Sequence, residues 1–132
     1  MLVDTNILVD VLQDDPDWAD WSINQLRVQS QIHRLFINPI IYTELSITFS
    51  TIEALDRNLK QMELDIVELS RPALFLAGQA FLKYRRVGGT KHNVLSDFFI
   101  GAQAAVLRVP VLTRDITRYR HYFPRVQLVS PS

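Results

Sequence analysis

The stretch Met1-Leu2-Val3-Asp4-Thr5-Asn6-Ile7-Leu8 decides the reading of this chain. Leu2 and Val3 read as a very short buried strand. Ile7, Leu8, Val11 and Leu12 then recur at helical spacing. Asp4 therefore stands where a strand hands over to a helix. In an open parallel sheet, the crevice beyond the carboxyl ends of the strands is where ligands bind. A carboxylate there either caps the next helix or holds something positive. Thr5 and Asn6 could cap as well, so capping alone does not require Asp4.

Outward from this start the same alternation repeats. Asp15, Pro16 and Asp17 suit the opening of a second helix that runs through Trp18, Trp21, Ile23 and Leu26. The two tryptophans, three apart, fit either core packing or a partner groove. Leu35 to Asn38 reads as a second strand. After Pro39 comes an apolar helix of Ile40, Ile41, Leu45, Ile47 and Thr48, with Glu44 set among them. A carboxylate in such company costs several kcal/mol to bury unless it is paired, metal-bound or protonated. Thr51 to Met62 forms an amphipathic helix with Ile52, Leu55, Leu59 and Met62 on one face. Asp65 to Leu69 alternates as a third strand. Pro72 opens a long helix that ends in Lys83, Arg85 and Arg86, followed by the loop Val87-Gly88-Gly89-Thr90-Lys91-His92-Asn93. Ser96 is the expected N-cap of the next helix, with Asp97 in its first turn. Phe98 to Leu107 is apolar nearly all round, and Gly101, Ala102, Ala104 and Ala105 allow close approach to the sheet. Val109 to Leu112 is a fourth strand, followed by Thr113-Arg114-Asp115. Tyr119, Tyr122 and Phe123 pack a short helix, and Val126, Leu128 and Val129 give a last strand. Strands alternating with helices imply an α/β fold, a mostly parallel sheet covered on both faces.

At 132 residues and 48% hydrophobic, the chain is expected to form one domain spanning 1–132 with a proper core. It holds no cysteine, which excludes a disulfide framework, a Cys-based zinc site and a thiol nucleophile. Asp4 and Asp10 interrupt the N-terminus, so no signal peptide is expected, and no apolar run is long enough to cross a bilayer. A cytoplasmic protein fits these features. The net charge of zero hides an asymmetry. Residues 1–70 carry four bases and twelve acids, a net of −8, whereas residues 71–132 carry ten bases and two acids, a net of +8. A basic half suggests a polyanionic partner. The two acids within it, Asp97 and Asp115, each sit at the edge of an apolar segment.

Asp4 and Asp115 follow strands, and Glu44 and Asp97 start or line helices. In an α/β fold these places can converge on one edge of the sheet. Like charges at about 4 Å repel by roughly 4 kcal/mol at an effective dielectric of 20. A fold keeps such a cluster by protonating some members or by binding cations. Oxygen ligands without cysteine favour Mg²⁺ or Mn²⁺ over zinc. Beside a basic half, this chemistry suggests a metal-dependent nuclease. His33, His92 and His121 share no ligand spacing and read as ordinary histidines.

Four segments taken together, Val3-Asp4-Thr5-Asn6, the Glu44 region, Gly88-Gly89 with Leu95 to Ala102, and Leu112-Thr113-Arg114-Asp115, resemble the PIN domain family, most closely the VapC-type toxins of bacterial toxin–antitoxin pairs. The resemblance covers the whole chain in order. It implies a three-layer α/β/α sandwich, a Mg²⁺- or Mn²⁺-dependent endoribonuclease, a homodimer and a cognate antitoxin. It implies that Asp4, Glu44, Asp97 and Asp115 are catalytic metal ligands, with Asn6 and Thr113 as polar supports. A metal-activated water would attack the phosphorus in line, leaving a 5′-phosphate and a 3′-hydroxyl. Arg85, Arg86, Lys91 and Arg114 are candidate phosphate contacts. Gln103 stands where many relatives carry histidine, and the fourth acid varies within the family.

Other readings make different demands. A phosphoacceptor module wants paired acids after the first strand and a lysine after the last, and neither is present. A PIN-like module that binds RNA without cutting it has no need of four acids. A nuclease acting on DNA duplexes would want longer insertions to clamp them.

Overall fold

The computed structural model describes residues 1–91 and 94–131; His92 and Asn93 of the Gly-Gly loop lie outside them. In chain order the elements are β1 (Leu2–Val3), α1 (Thr5–Leu12), α2 (Ala19–Ser30), β2 (Phe36–Ile37), α3 (Pro39–Ser46) and α4 (Ile52–Gln61). There follow β3 (Asp65–Ile66), α5 (Arg71–Arg86), α6 (Leu95–Leu107), β4 (Val111–Leu112), α7 (Thr117–Tyr122) and β5 (Leu128–Val129). β1 and β2 are short because their apolar run ends after two buried residues and the chain turns into a helix almost at once, whereas β3, Asp65–Ile66, lies exposed at the sheet edge. Leu2, Val3, Ile37, Val111 and Leu112 have no exposed surface.

The five strands form one parallel sheet in the order β3-β2-β1-β4-β5. The chain builds outward from β1 to β3, then returns to the other side of β1 with β4. Right-handed crossovers put α1 to α4 on one face and α5 to α7 on the other, the expected α/β/α layers. The order reverses between β1 and β4, so a crevice opens beyond their carboxyl ends. Register fixes what lines it. Val3 lies opposite Leu112, and the Asp4 N–H donates to the Leu112 carbonyl at 2.9 Å. Asp4 and Thr113, each the first residue past its strand, are thereby neighbours.

Two helix starts follow from local chemistry. Asn38 caps α3, its Oδ1 accepting from the Ile41 N–H at 2.9 Å, with Pro39 at the first helical position. Ser70 caps α5 in the same way through Ala73. The expected cap at Ser96 is not formed. α6 already begins at Leu95 behind Val94, with no side-chain cap, so Ser96 lies inside the helix. α3 stops at Ser46, leaving Ile47 83% exposed, and Ile52 is 62% exposed at the first turn of α4. Periodicity placed both on apolar faces, but each sits at a helix end that overhangs the core.

Phe98 is fully buried at the centre of a ring cluster with Phe81, Tyr84, Tyr122 and Phe123, centroids 5.1 to 6.4 Å away. It locks α6 to α5 and α7. Gly101 serves the same contact. A Cβ there would overlap the Phe123 ring, so the close approach is to the end of α7 rather than to the sheet. Gln103 is 1% exposed and fully engaged. It accepts from Asn38 Nδ2 at 2.9 Å and donates to the carbonyls of Val67 and Glu68 at 3.3 and 3.2 Å. It ties the end of β2 to the chain leaving β3 and steadies the start of α3, which carries Glu44. Gly88, at φ 90°, turns the chain out of α5 in a conformation that disfavours other residues.

Candidate active site

Asp4 is 5% exposed, and although it precedes α1 its side chain makes no capping bond. Its Oδ2 is held by side chains from α1, α7 and the turn after β4. Oδ2 receives the Tyr119 hydroxyl at 2.7 Å, the Thr113 hydroxyl at 2.8 Å and, more distantly, Asn6 Nδ2 at 3.5 Å. All three side-chain donors fall on this one oxygen. Thr113 Oγ1 also accepts from the Asp115 N–H at 3.1 Å and from Asn6 Nδ2 at 3.3 Å, while Asn6 Oδ1 accepts from the Arg114 N–H at 3.2 Å. Asn6 and Thr113 thus stitch the turn after β1 to the turn after β4. Tyr119 was expected only to pack. A tyrosine in place of phenylalanine at a core position needs a partner for its hydroxyl, and that was the available signal.

Glu44 is half-buried on α3, with Oε1 accepting from the Thr5 hydroxyl at 2.6 Å. Asp97, one residue before the locked ring of Phe98, is aimed by that packing. Its Oδ2 lies 3.5 Å from Arg118 Nη1, and its side chain is 24% exposed. Asp115, at the edge of its apolar segment, is exposed. Its Oδ1 accepts from the Thr117 N–H at 3.2 Å, the capping role its position allowed.

The electrostatics tie the four together. Burial raises the Asp97 carboxyl to about 7, and the charges of Asp4, Asp115 and Glu44 push it the same way against the pull of Arg118. Burial also raises Asp4, opposed by the hydroxyls of Tyr119 and Thr113 and reinforced by Glu44. Tyr119 is held well above the ordinary phenol value by burial and by Asp4, so it remains a proton donor. Among the described residues no group of three or more acidic or histidine side chains is arranged to hold one ion as it stands.

Two expected phosphate contacts, Arg85 and Arg86, stand in solvent at the end of α5, and Lys91 is exposed in the loop that follows. Arg114, the fourth candidate, is engaged within the protein. Its guanidinium grips Asp10 with Nε at 2.5 Å from Oδ2 and Nη2 at 2.8 Å from Oδ1, and lies 5.1 Å from the Trp18 ring centroid. Asp10, 3% exposed, also accepts from the Ser22 hydroxyl at 3.0 Å. The pair pins α1 and α2 to the turn after β4, and Trp18 and Trp21 stand edge-on beside it at 6.2 Å. Arg114→Ala strands a buried carboxylate. The expected loss is about 3 kcal/mol, the low end of the range because the arginine side is partly open to water. Chemical denaturation checks this, and an unchanged midpoint would refute it.

A family model describing the PIN domain matches residues 1–123. The chain belongs to the PIN domain family. No curated protein sequence is similar enough to stand as a relative. Among solved structures, this PIN domain is similar to a chain of VapBC2 from Rickettsia felis bound to a DNA fragment from their promoter, with TM-score 0.74 and 20% identity over 99% of this chain and 98% of that one. It is also similar to a chain of a toxin–antitoxin complex from Klebsiella pneumoniae, with TM-score 0.68 and 20% identity over 99% and 97%. VapBC-1 from nontypeable Haemophilus influenzae gives TM-score 0.72 and 16% identity over 98% and 96%. These likenesses establish the PIN fold across the length of the chain.

The donor set suits a hard divalent cation. Its candidate donors are carboxylate oxygens, two of the acids are raised chiefly by burial, and the chain holds no thiol that would favour a softer metal.

Proposed function

We propose that this PIN domain is a divalent-metal-dependent endoribonuclease, the toxin of a toxin–antitoxin pair. The observation that carries the reading is the buried carboxylate of Asp4, held by Thr113, Asn6 and Tyr119 where the strand order reverses, with the charges of Glu44 and Asp97 bearing on it or on one another. Asp4, Asp97, Glu44 and Asp115 would hold Mg²⁺ or Mn²⁺. Such an ion, when bound, neutralises phosphodiester charge and lowers the pKa of water. The chain's own residues do the rest. Tyr119, Thr113 and Asn6 fix Asp4 from behind, Thr5 orients Glu44, and the aromatic packing of Phe98 aims Asp97. The products are a 5′-phosphate and a 3′-hydroxyl. The basic C-terminal half suits a polyanionic substrate, and RNA in the cytoplasm is the substrate the toxin reading requires. The structural neighbours solved as complexes of toxin and antitoxin support a cognate antitoxin as partner, and a homodimer belongs to the same reading.

Expression of the chain alone, followed by sequencing of new 5′-phosphate RNA ends, tests this directly. The expected result is growth arrest with ends at a restricted set of sites, absent when divalent ions are chelated in the purified reaction. Cleavage of DNA with RNA left intact would overturn the substrate assignment. Binding of RNA with no cleavage in Mg²⁺ or Mn²⁺ would overturn the enzyme assignment.

A further inference from the structure

Two of the arginines that follow β4, Arg114 and Arg118, are held in opposite ways. Arg114 makes two short bonds to a buried carboxylate and stacks near an indole, so its fork is fully occupied. Arg118, on α7, meets the protein through one long contact, Nη1 to Asp97 Oδ2 at 3.5 Å. Its side chain is only 21% exposed, and its buried Nε finds no hydrogen-bond partner among the described residues. An unsatisfied buried donor is costly. A side chain left in that condition gains from any shift that gives its donors an acceptor.

We propose that Arg118 is the residue of this cleft that grips the substrate phosphodiester, taking its non-bridging oxygens with the planar guanidinium fork beside Asp97. This rests on the endoribonuclease reading and deepens it. Three observations carry it: among the described residues Arg118 is the cation in contact with Asp97, its contact there is long, and its Nε has no partner. A fork matches paired phosphate oxygens better than it matches one distant carboxylate oxygen. A divalent ion among the acids would also repel the guanidinium from Asp97 and turn it toward substrate. Arg118 then acts on substrate affinity, whereas a mere counter-charge for Asp97 acts on metal affinity and stability.

The test uses the full chain carrying Glu44→Gln, which prevents turnover, for binding of a labelled short single-stranded RNA in Mg²⁺, and the full chain with Glu44 intact, as the parent, for RNA cleavage and for calorimetric titration with Mg²⁺ alone. Arg118→Ala is expected to weaken RNA binding about tenfold and to lower the slope of log affinity against log salt by about one phosphate contact. Mg²⁺ affinity without RNA stays equal or tightens, because a competing cation has gone. Arg118→Lys keeps charge and fold but not the fork, and recovers only part of the RNA affinity. Unchanged RNA affinity and salt slope in Arg118→Ala, with weaker Mg²⁺ binding or a lower melting temperature, would overturn the proposal and make Arg118 a structural counter-charge. Full recovery by lysine would overturn the fork. A parent chain that neither binds nor cuts RNA overturns the nuclease reading as well, and is distinguished because it shows before position 118 is changed.

Discussion

Asp4→Asn and Asp97→Asn are each expected to lower RNA cleavage by about a thousandfold or more while the chain stays folded. Asparagine is the informative substitution at position 4. It can still accept from the hydroxyls of Tyr119 and Thr113, so the buried network keeps its donors satisfied and only the charge is lost. Alanine would leave both hydroxyls without their acceptor and confound activity with stability. At position 97 the amide keeps shape and removes the negative charge that repels Asp4, Asp115 and Glu44. A thousandfold loss corresponds to about 4 kcal/mol of transition-state stabilisation, more than an exposed ion pair supplies. Cleavage rates and circular dichroism measured on the same preparations separate chemistry from folding. Full activity in both variants would remove the basis for assigning catalysis to this cleft.

The metal-free protein is expected to lose stability as pH rises from about 4 to about 7. The sign follows from Asp97, whose folded value of about 7 lies above the ordinary 3.8. Between those values the native state holds the proton and the unfolded state does not, so the stabilisation present below the lower value is lost as pH climbs through the upper one. Asp4, raised in the same direction, adds to the effect. Across that interval Asp97 alone accounts for a change on the order of 4 kcal/mol, at about 1.4 kcal/mol for each tenfold change in proton affinity. Two consequences are measurable by thermal melts. At pH 8, Asp97→Asn is more stable than the wild type when divalent ions are removed, because the uncompensated charge has gone. Mg²⁺ at a hundredfold its Kd raises wild-type stability by about 2.7 kcal/mol at pH 8 and by much less at pH 5.5, where protons compete for the same oxygens. A wild-type protein that grows more stable between pH 5 and 7, or that ignores Mg²⁺ at pH 8, would contradict this account.

Chain-local chemistry made much of the fold legible. Short apolar runs ended by Asp4, Asn38 and Thr113 mark strands that give way at once to a helix or turn, because no further residue can remain in an all-apolar centre. Pro39 and Pro72 mark helix starts because their fixed φ and missing N–H cost nothing there. Helix ends were less legible. Ile47, Ile52 and Ser96 each have the residue type of their expected role, yet whether a terminal turn overlies the core depends on where the neighbouring element stops.

The sequence by itself marked the candidate carboxylates: Asp4 and Asp115 just past strands, Asp97 in the first turn of a helix and Glu44 within an apolar one, in a chain with no thiol to compete. Only the tertiary structure decided which cations and hydroxyls meet them. Arg114 and Arg118 lie four residues apart in a common setting, yet one is drawn to Asp10 on α1 and the other to Asp97 on α6. Tyr119 reaches back to an acid near the start of the chain. These partners are chosen by strand order and helix packing across long separations, and no local pattern of residues encodes which distant acid a given arginine or tyrosine will find.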